Sequence, residues 1–125
     1  MGGNYYVSPD QEDGGSWSFS ADQLTRTAIA LWPGSEAAGP FPPMDATDLD
    51  IHTGGGRCRL TFHPQGPVLV FPDQDPLLVP GRVILGLLNA LAPDTPTVWW
   101  TDLDGVPEIL DLTCDATDLA DAFSF

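Results

Sequence analysis

From Leu49 to Phe71 apolar residues recur at every second position, and two glycine-bearing breaks fix how the segments face each other. With Gly54-Gly55 as a two-residue turn, Ile51 faces Cys58, Leu49 faces Leu60, Asp50 faces Arg59 and His52 faces Arg57. With Gln65-Gly66 as the second turn, Phe62 faces Leu69 and Leu60 faces Phe71. Both registers put Leu49, Ile51, Cys58, Leu60, Phe62, Leu69 and Phe71 on one side. A slip of one residue would send a whole set to the other face, so the agreement predicts a three-stranded antiparallel meander with that side inward. The opposite face carries Asp50, His52, Arg57, Arg59, Thr61, His63, Val68 and Val70, and is the solvated or functional side.

The same reading extends along the chain. Asn4–Val7 suits a short edge strand, residues 8–15 a polar loop of turn formers, and Trp17 and Phe19, alternating with serines, a second short strand. Ser20 and Gln23 stand at capping-box spacing. They precede a helix in which Leu24, Ala28 and Leu31 share a stripe with Ile29 and Trp32 beside it, ended by Pro33-Gly34. Residues 34–44, GSEAAGPFPPM, read as a connector, and residues 73–81, DQDPLLVPG, as a second break. Arg82 to Leu91 is apolar almost all round, which predicts a helix buried against the sheet.

Val98–Leu103 and Val106–Leu112 predict a last hairpin around a two-residue Asp104-Gly105 turn. Its alternation points Trp99, Leu103, Val106, Leu110 and Leu112 toward the core, and Val98, Trp100, Asp102, Pro107, Ile109 and Asp111 away from it. A short helix from about Asp115 to Phe123 closes the chain, capped by Asp115 or Thr117. The expected fold is α+β, a single domain over residues 1–125. Its antiparallel sheet has about five to six strands, the meander plus the C-terminal hairpin, with two to three helices mainly on one face. Residues 1–15 form an arm whose place the pattern does not fix.

Charge changes this picture more than any motif. The chain has 18 acidic residues, four arginines and no lysine, a net charge of −14. Such a surface repels nucleic acid and anionic membranes, whereas it steers a basic protein partner toward itself. No apolar run reaches the roughly 20 residues of a membrane helix. The first residues have neither the basic nor the apolar region of a signal peptide, so the expected location is the cytoplasm. Cys58 and Cys114, with no CxxC spacing, allow one long-range disulfide, but in that compartment two reduced, buried thiols are the leading expectation. Abundant Asp, Gly, Pro and Ala without Lys suggests the coding bias of a GC-rich, actinobacterial source.

The stretch TVWWTDLDGVPEILD, residues 97–111, invites a chemical reading. As a calcium loop it fails. Counted from Asp102, Gly105 comes fourth where the sixth position is required, and Thr113 stands where a bidentate Glu is needed. As an acid–base pair its carboxylates lack an enclosing pocket to separate their pKa values. What remains is an aromatic, acidic surface suited to an interface, with Trp100 as anchor and Asp102, Asp104, Glu108 and Asp111 as contacts. The competing expectation is that the N-terminal arm, through Tyr5, Tyr6 or Trp17, covers that face.

On the meander, His52, Arg57, Arg59 and His63 offer an anion-binding patch. His52, Cys58 and His63 do not converge as metal ligands, because alternation turns Cys58 inward. TGGGR, residues 53–57, lacks the spaced glycines and lysine of a phosphate loop, and no segment has the setting of a nucleophile elbow. Neither a catalytic residue nor a cofactor is assigned.

SADQLTRTAIALWPG, the meander, VPGRVILGLLNALAP and the closing TDLADAF together resemble small acidic actinobacterial proteins of the polymorphic-toxin immunity type, over Ser20 to Phe123. The resemblance lies in layout and assigns no role to any single residue. It implies tight binding to a cognate toxin, often through an acidic surface set against a basic active site. The leading expectation is a binding protein of immunity or antitoxin type that blocks a basic partner. The alternative is a chaperone or adaptor for a secreted protein, working through an exposed sheet edge or apolar patch. A small enzyme using the His52/His63/Arg face is the third reading, and it requires a deep pocket there.

Overall fold

The computed structural model describes residues 3–124. In chain order it runs β1 (Asn4–Pro9), a 3₁₀ turn (Gln11–Asp13), α1 (Ala21–Leu31), β2 (Glu36–Phe41), β3 (Ala46–Thr53), β4 (Gly56–His63), β5 (Val68–Pro72), α2 (Leu78–Leu91), β6 (Thr97–Thr101), β7 (Glu108–Ile109) and α3 (Ala116–Phe123). Seven strands form one antiparallel sheet in the order β2-β3-β4-β5-β1-β6-β7, and the fold is α+β as the pattern required.

The meander has the expected register. Ile51 lies opposite Cys58, Leu49 opposite Leu60, Asp50 opposite Arg59 and His52 opposite Arg57, while Phe62 meets Leu69. All seven predicted inward side chains are buried. Together with Val83, Ile84, Leu87 and Leu88 of α2 they belong to one contiguous apolar cluster. An aromatic group extends that cluster under β1 and β6: Tyr5 stacks on Phe71 at 5.1 Å, and Phe123 of α3 meets Trp99 edge-on at 4.9 Å. The Tyr5 hydroxyl donates to the Phe123 carbonyl at 3.0 Å, tying the first strand to the last helix.

Several elements differ from the sequence pattern, each for a local reason. Residues 4–9 form an interior strand and not an edge: Tyr5 lies between Phe71 on β5 and Thr101 on β6. Residues 16–20, expected as a second short strand, form none, and β1 is paired on both sides without them. Trp17 and Phe19 still pack inward, their rings 6.4 and 5.6 Å from that of Phe62. The connector contains β2, an edge strand on β3 with all six residues exposed. Its pairing is irregular between Ala38 and Phe41, where Pro40 has no N–H to offer, as edge strands tolerate.

Among the helices, α1 has the full capping box: Gln23 N–H donates to Ser20 Oγ at 3.1 Å, and Ser20 N–H to Gln23 Oε1 at 2.8 Å. Leu24 and Ala28 are buried, but Leu31 is 45% exposed and Trp32 turns inward in its place. The Trp32 ring approaches α2 so closely that a Cβ on Gly86 would lie 2.8 Å from it. The second helix begins at Leu78, ahead of the expected Arg82. Pro80 falls in its first turn, where the missing N–H had no intrahelical partner to lose. α3 is capped by Asp115, whose Oδ1 accepts from Asp118 N–H at 2.9 Å. Both cysteines are free thiols, and burial pushes the Cys58 thiol up to about 12. Among the described residues no helix is long and apolar enough to cross a membrane.

Candidate docking face

With the helices packed on one side of the sheet, the opposite face is open, and alternation decides what it shows. Strand by strand it divides into two halves. Across β2, β3 and β4 it presents Glu36, Asp48, Asp50, His52, Arg57, Arg59, Thr61 and His63. Across β5, β1, β6 and β7 it presents Val68, Val70, Tyr6, Ser8, Val98, Trp100 and Ile109.

In the polar half the charges largely answer one another. Arg57 binds Asp50 through two hydrogen bonds, Nε reaching Oδ1 at 2.6 Å and the second amine reaching Oδ2. His52 Nε2 approaches Asp50 Oδ2 at 3.6 Å. The Arg57 guanidinium holds the Asp50 carboxyl down at about 2. Thr61 donates to Asp48 Oδ1 at 2.8 Å. Arg59 faces a groove of about 470 Å³ whose lining also includes Glu36, Asp48 and Asp50. An anion entering it would meet one guanidinium and three carboxylates. His63 sits at the far end of β4 opposite Val68, so the structure does not gather His52, Arg57, Arg59 and His63 into one deep pocket. Cys58 is buried on the other side of the sheet, away from the two histidines.

The apolar half is centred on Trp100. Its ring stacks on Tyr6 of the neighbouring strand, with centroids 5.5 Å apart and planes 9° from parallel. The N-terminal strand thus covers one side of the indole, and Trp100 ends half-buried. Around the pair lies a groove of about 620 Å³. Its floor includes Tyr6, Ser8, Val68, Val98 and Trp100; its walls come from Pro9–Glu12, the Gly66-Pro67 turn, Pro107 and Ile109. Ile109 is 83% exposed.

The hairpin that follows Trp100 differs from the expected two-residue turn. Val98 pairs with Ile109 and Trp99 with Glu108, leaving residues 102–107 as a wide loop. Leu103 and Val106, expected in the core, are 85% and 67% exposed. The cause lies at Asp102. Its carboxylate accepts from the Tyr6 hydroxyl at 2.5 Å and from Asn4 N–H at 2.8 Å, drawing the chain toward β1 before a tight turn can close. Pro107 then has no N–H for the ladder, and β7 shrinks to two residues. Asp104 closes the loop locally: its N–H donates to Thr101 Oγ1 at 3.1 Å and its Oδ1 accepts from Val106 N–H at 3.0 Å. Leu110 and Leu112 are buried as the alternation required.

The four proposed acidic contacts are therefore not equivalent. Asp102 is engaged by Tyr6 and Asn4, which hold its carboxyl below the usual range. Asp111 is likewise lowered, by the Thr113 hydroxyl and backbone N–H. Asp104 and Glu108 are exposed on the loop and on β7. Asp10 and Glu12, which the sequence placed in a featureless polar loop, stand in the groove wall. Tyr6 and Asp10 became part of this face through β1–β6 pairing. The only sequence trace of that strand is the alternation of Tyr5 and Val7 with Asn4, Tyr6 and Ser8.

Comparisons with protein families, with curated proteins and with solved structures give no match to this chain.

Proposed function

We propose that this protein is a cytoplasmic binding inhibitor of immunity or antitoxin type, which docks a basic protein partner on the open sheet face and blocks it by bulk and charge. The observation that carries the reading is the groove around Trp100. It is a half-buried aromatic in an apolar depression, with Asp10 and Glu12 in the wall, in a chain of net charge −14. An aromatic anchor that a partner would desolvate, within a polar and acidic rim, is the anatomy of an interface hot spot, and the long-range field favours a basic partner.

The test is affinity capture on the immobilised wild type and Trp100→Ala, at low and high salt. Assay of the captured protein's own activity with and without this chain follows. The expected result is a basic protein retained by the wild type, lost from the variant and released by salt, whose activity falls on stoichiometric addition. A captured protein indifferent to Trp100, or fully active in the complex, would sink the reading.

The uncovered edge of β2 supports a second reading, an adaptor that adds a partner strand beside Glu36–Ala38. In that case Ala38→Pro abolishes capture and Trp100→Ala does not.

A further inference from the structure

The groove also constrains the shape of what enters it. Its floor is laid by β5, β1 and β6, each paired to a neighbour on both sides. No backbone edge is free on that floor, and the edge strand β7 that bounds it is only two residues long, so a ligand gains little by adding as a strand and recognition falls to side chains. Those side chains are flat and apolar: the stacked Tyr6 and Trp100 rings with Val68 and Val98, between Pro67 and Pro107. The platform is held ready, because Tyr6 is fixed through its hydroxyl to Asp102. The indole N–H of Trp100 has no acceptor among the described residues. Asp10 and Glu12 stand in the wall, and none of the lining residues is cationic.

We infer that this groove takes an extended polyproline II segment of a basic partner, laying proline or other apolar side chains on the Tyr6–Trp100 platform and an arginine or lysine against Asp10 and Glu12. The inference rests on the docking reading above and specifies the segment that docks. Polyproline II has no internal hydrogen bonds, so its carbonyls are free to accept from the Trp100 indole. It is also already ordered, which lowers the entropic cost of binding. From β5 to β7 the groove crosses three strand spacings of about 4.8 Å, the length of roughly four to five polyproline II residues at about 3.1 Å each. An α-helix fits less well: its carbonyls are bonded internally, and the indole donor would gain no partner.

The test uses the full chain and three labelled synthetic peptides of equal length and net charge: a Pro-Pro-Arg repeat, a Gly-Ser-Arg repeat and a helix-forming Ala-Leu-Arg repeat. Fluorescence anisotropy measures binding, and amide NMR shifts locate it. The Pro-Pro-Arg repeat is expected to bind more tightly than both others, with shifts centred on Tyr6, Val98 and Trp100. Trp100→Phe keeps a ring and removes the donor, and should weaken binding by about three- to tenfold. Glu12→Gln should weaken it at low salt and have little effect at high salt. An unchanged thermal midpoint for each variant establishes that the fold is kept.

Equal binding of the Gly-Ser-Arg repeat reduces the effect to charge and overturns the inference. Preference for the helical repeat overturns the extended conformation but leaves the docking face standing. If no peptide binds the groove the inference fails, while capture of a whole partner through Trp100 still decides the inhibitor reading on its own result.

Discussion

Two carboxylates on the open face are held by different partners, and each should show it in solution. Asp50 is lowered to about 2, first by its hydrogen bonds to Arg57. Asp102 is lowered first by the Tyr6 hydroxyl, then by Asn4 N–H. Both folded values lie below the unfolded carboxylate value of about 3.9. Any stability they add is therefore fully present above that value and is lost as pH falls through the folded one, for Asp50 between about 4 and 2. Carboxyl-carbon NMR titration should place Asp50 near 2, and Arg57→Gln should move its midpoint up toward the ordinary range. Tyr6→Phe should raise the midpoint of Asp102 and leave that of Asp50 in place. An ordinary midpoint for Asp50 in the wild type would mean that the Arg57 pair is open in solution.

Among the elements, what the sequence made legible was what short-range constraint determines. The two turns of the meander independently required the same inward set, and that consistency left one register. The helix caps were equally local. Ser20→Ala should cost about 1 kcal/mol, read as a lower urea midpoint with unchanged slope, because it orphans the Gln23 N–H. Ser18→Ala, at an exposed position nearby, should stay within about 0.5 kcal/mol. Illegible were the features set by distant chain. The central place of β1 depends on β5 and β6, pairings that no local pattern encodes. Asp104-Gly105 reads as a hairpin turn by itself, but Asp102 is bound to β1 and the tight turn gives way. Trp100 was placed on the outer face by alternation; its stacking on Tyr6 was one of several neighbours the arm could have supplied.

At the scale of the whole molecule, net charge and interface are separable. The acidic residues are not gathered on the open face, since Asp115 caps α3 and Asp118 and Asp121 lie on it, within the helical layer. On the docking proposal, charge would set how quickly a basic partner arrives, and the Trp100 groove how long it stays. This division predicts distinct kinetics. Neutralising the α3 acids together (Asp115→Asn, Asp118→Asn, Asp121→Asn) should lower the association rate and leave dissociation nearly unchanged, because long-range steering sums over the surface. The triple variant also loses the Asp115 carboxylate cap, for which Asn is an adequate replacement. Trp100→Ala should do the reverse, speeding dissociation by about thirtyfold or more, as loss of a hot spot of about 2 kcal/mol requires. Raising salt should reproduce the first effect and not the second, since screening shortens the reach of the field without touching an apolar contact. Surface plasmon resonance on the captured partner measures both rates. If Trp100→Ala changed only the association rate, the aromatic groove would lie outside the contact and the partner would bind elsewhere on the acidic surface.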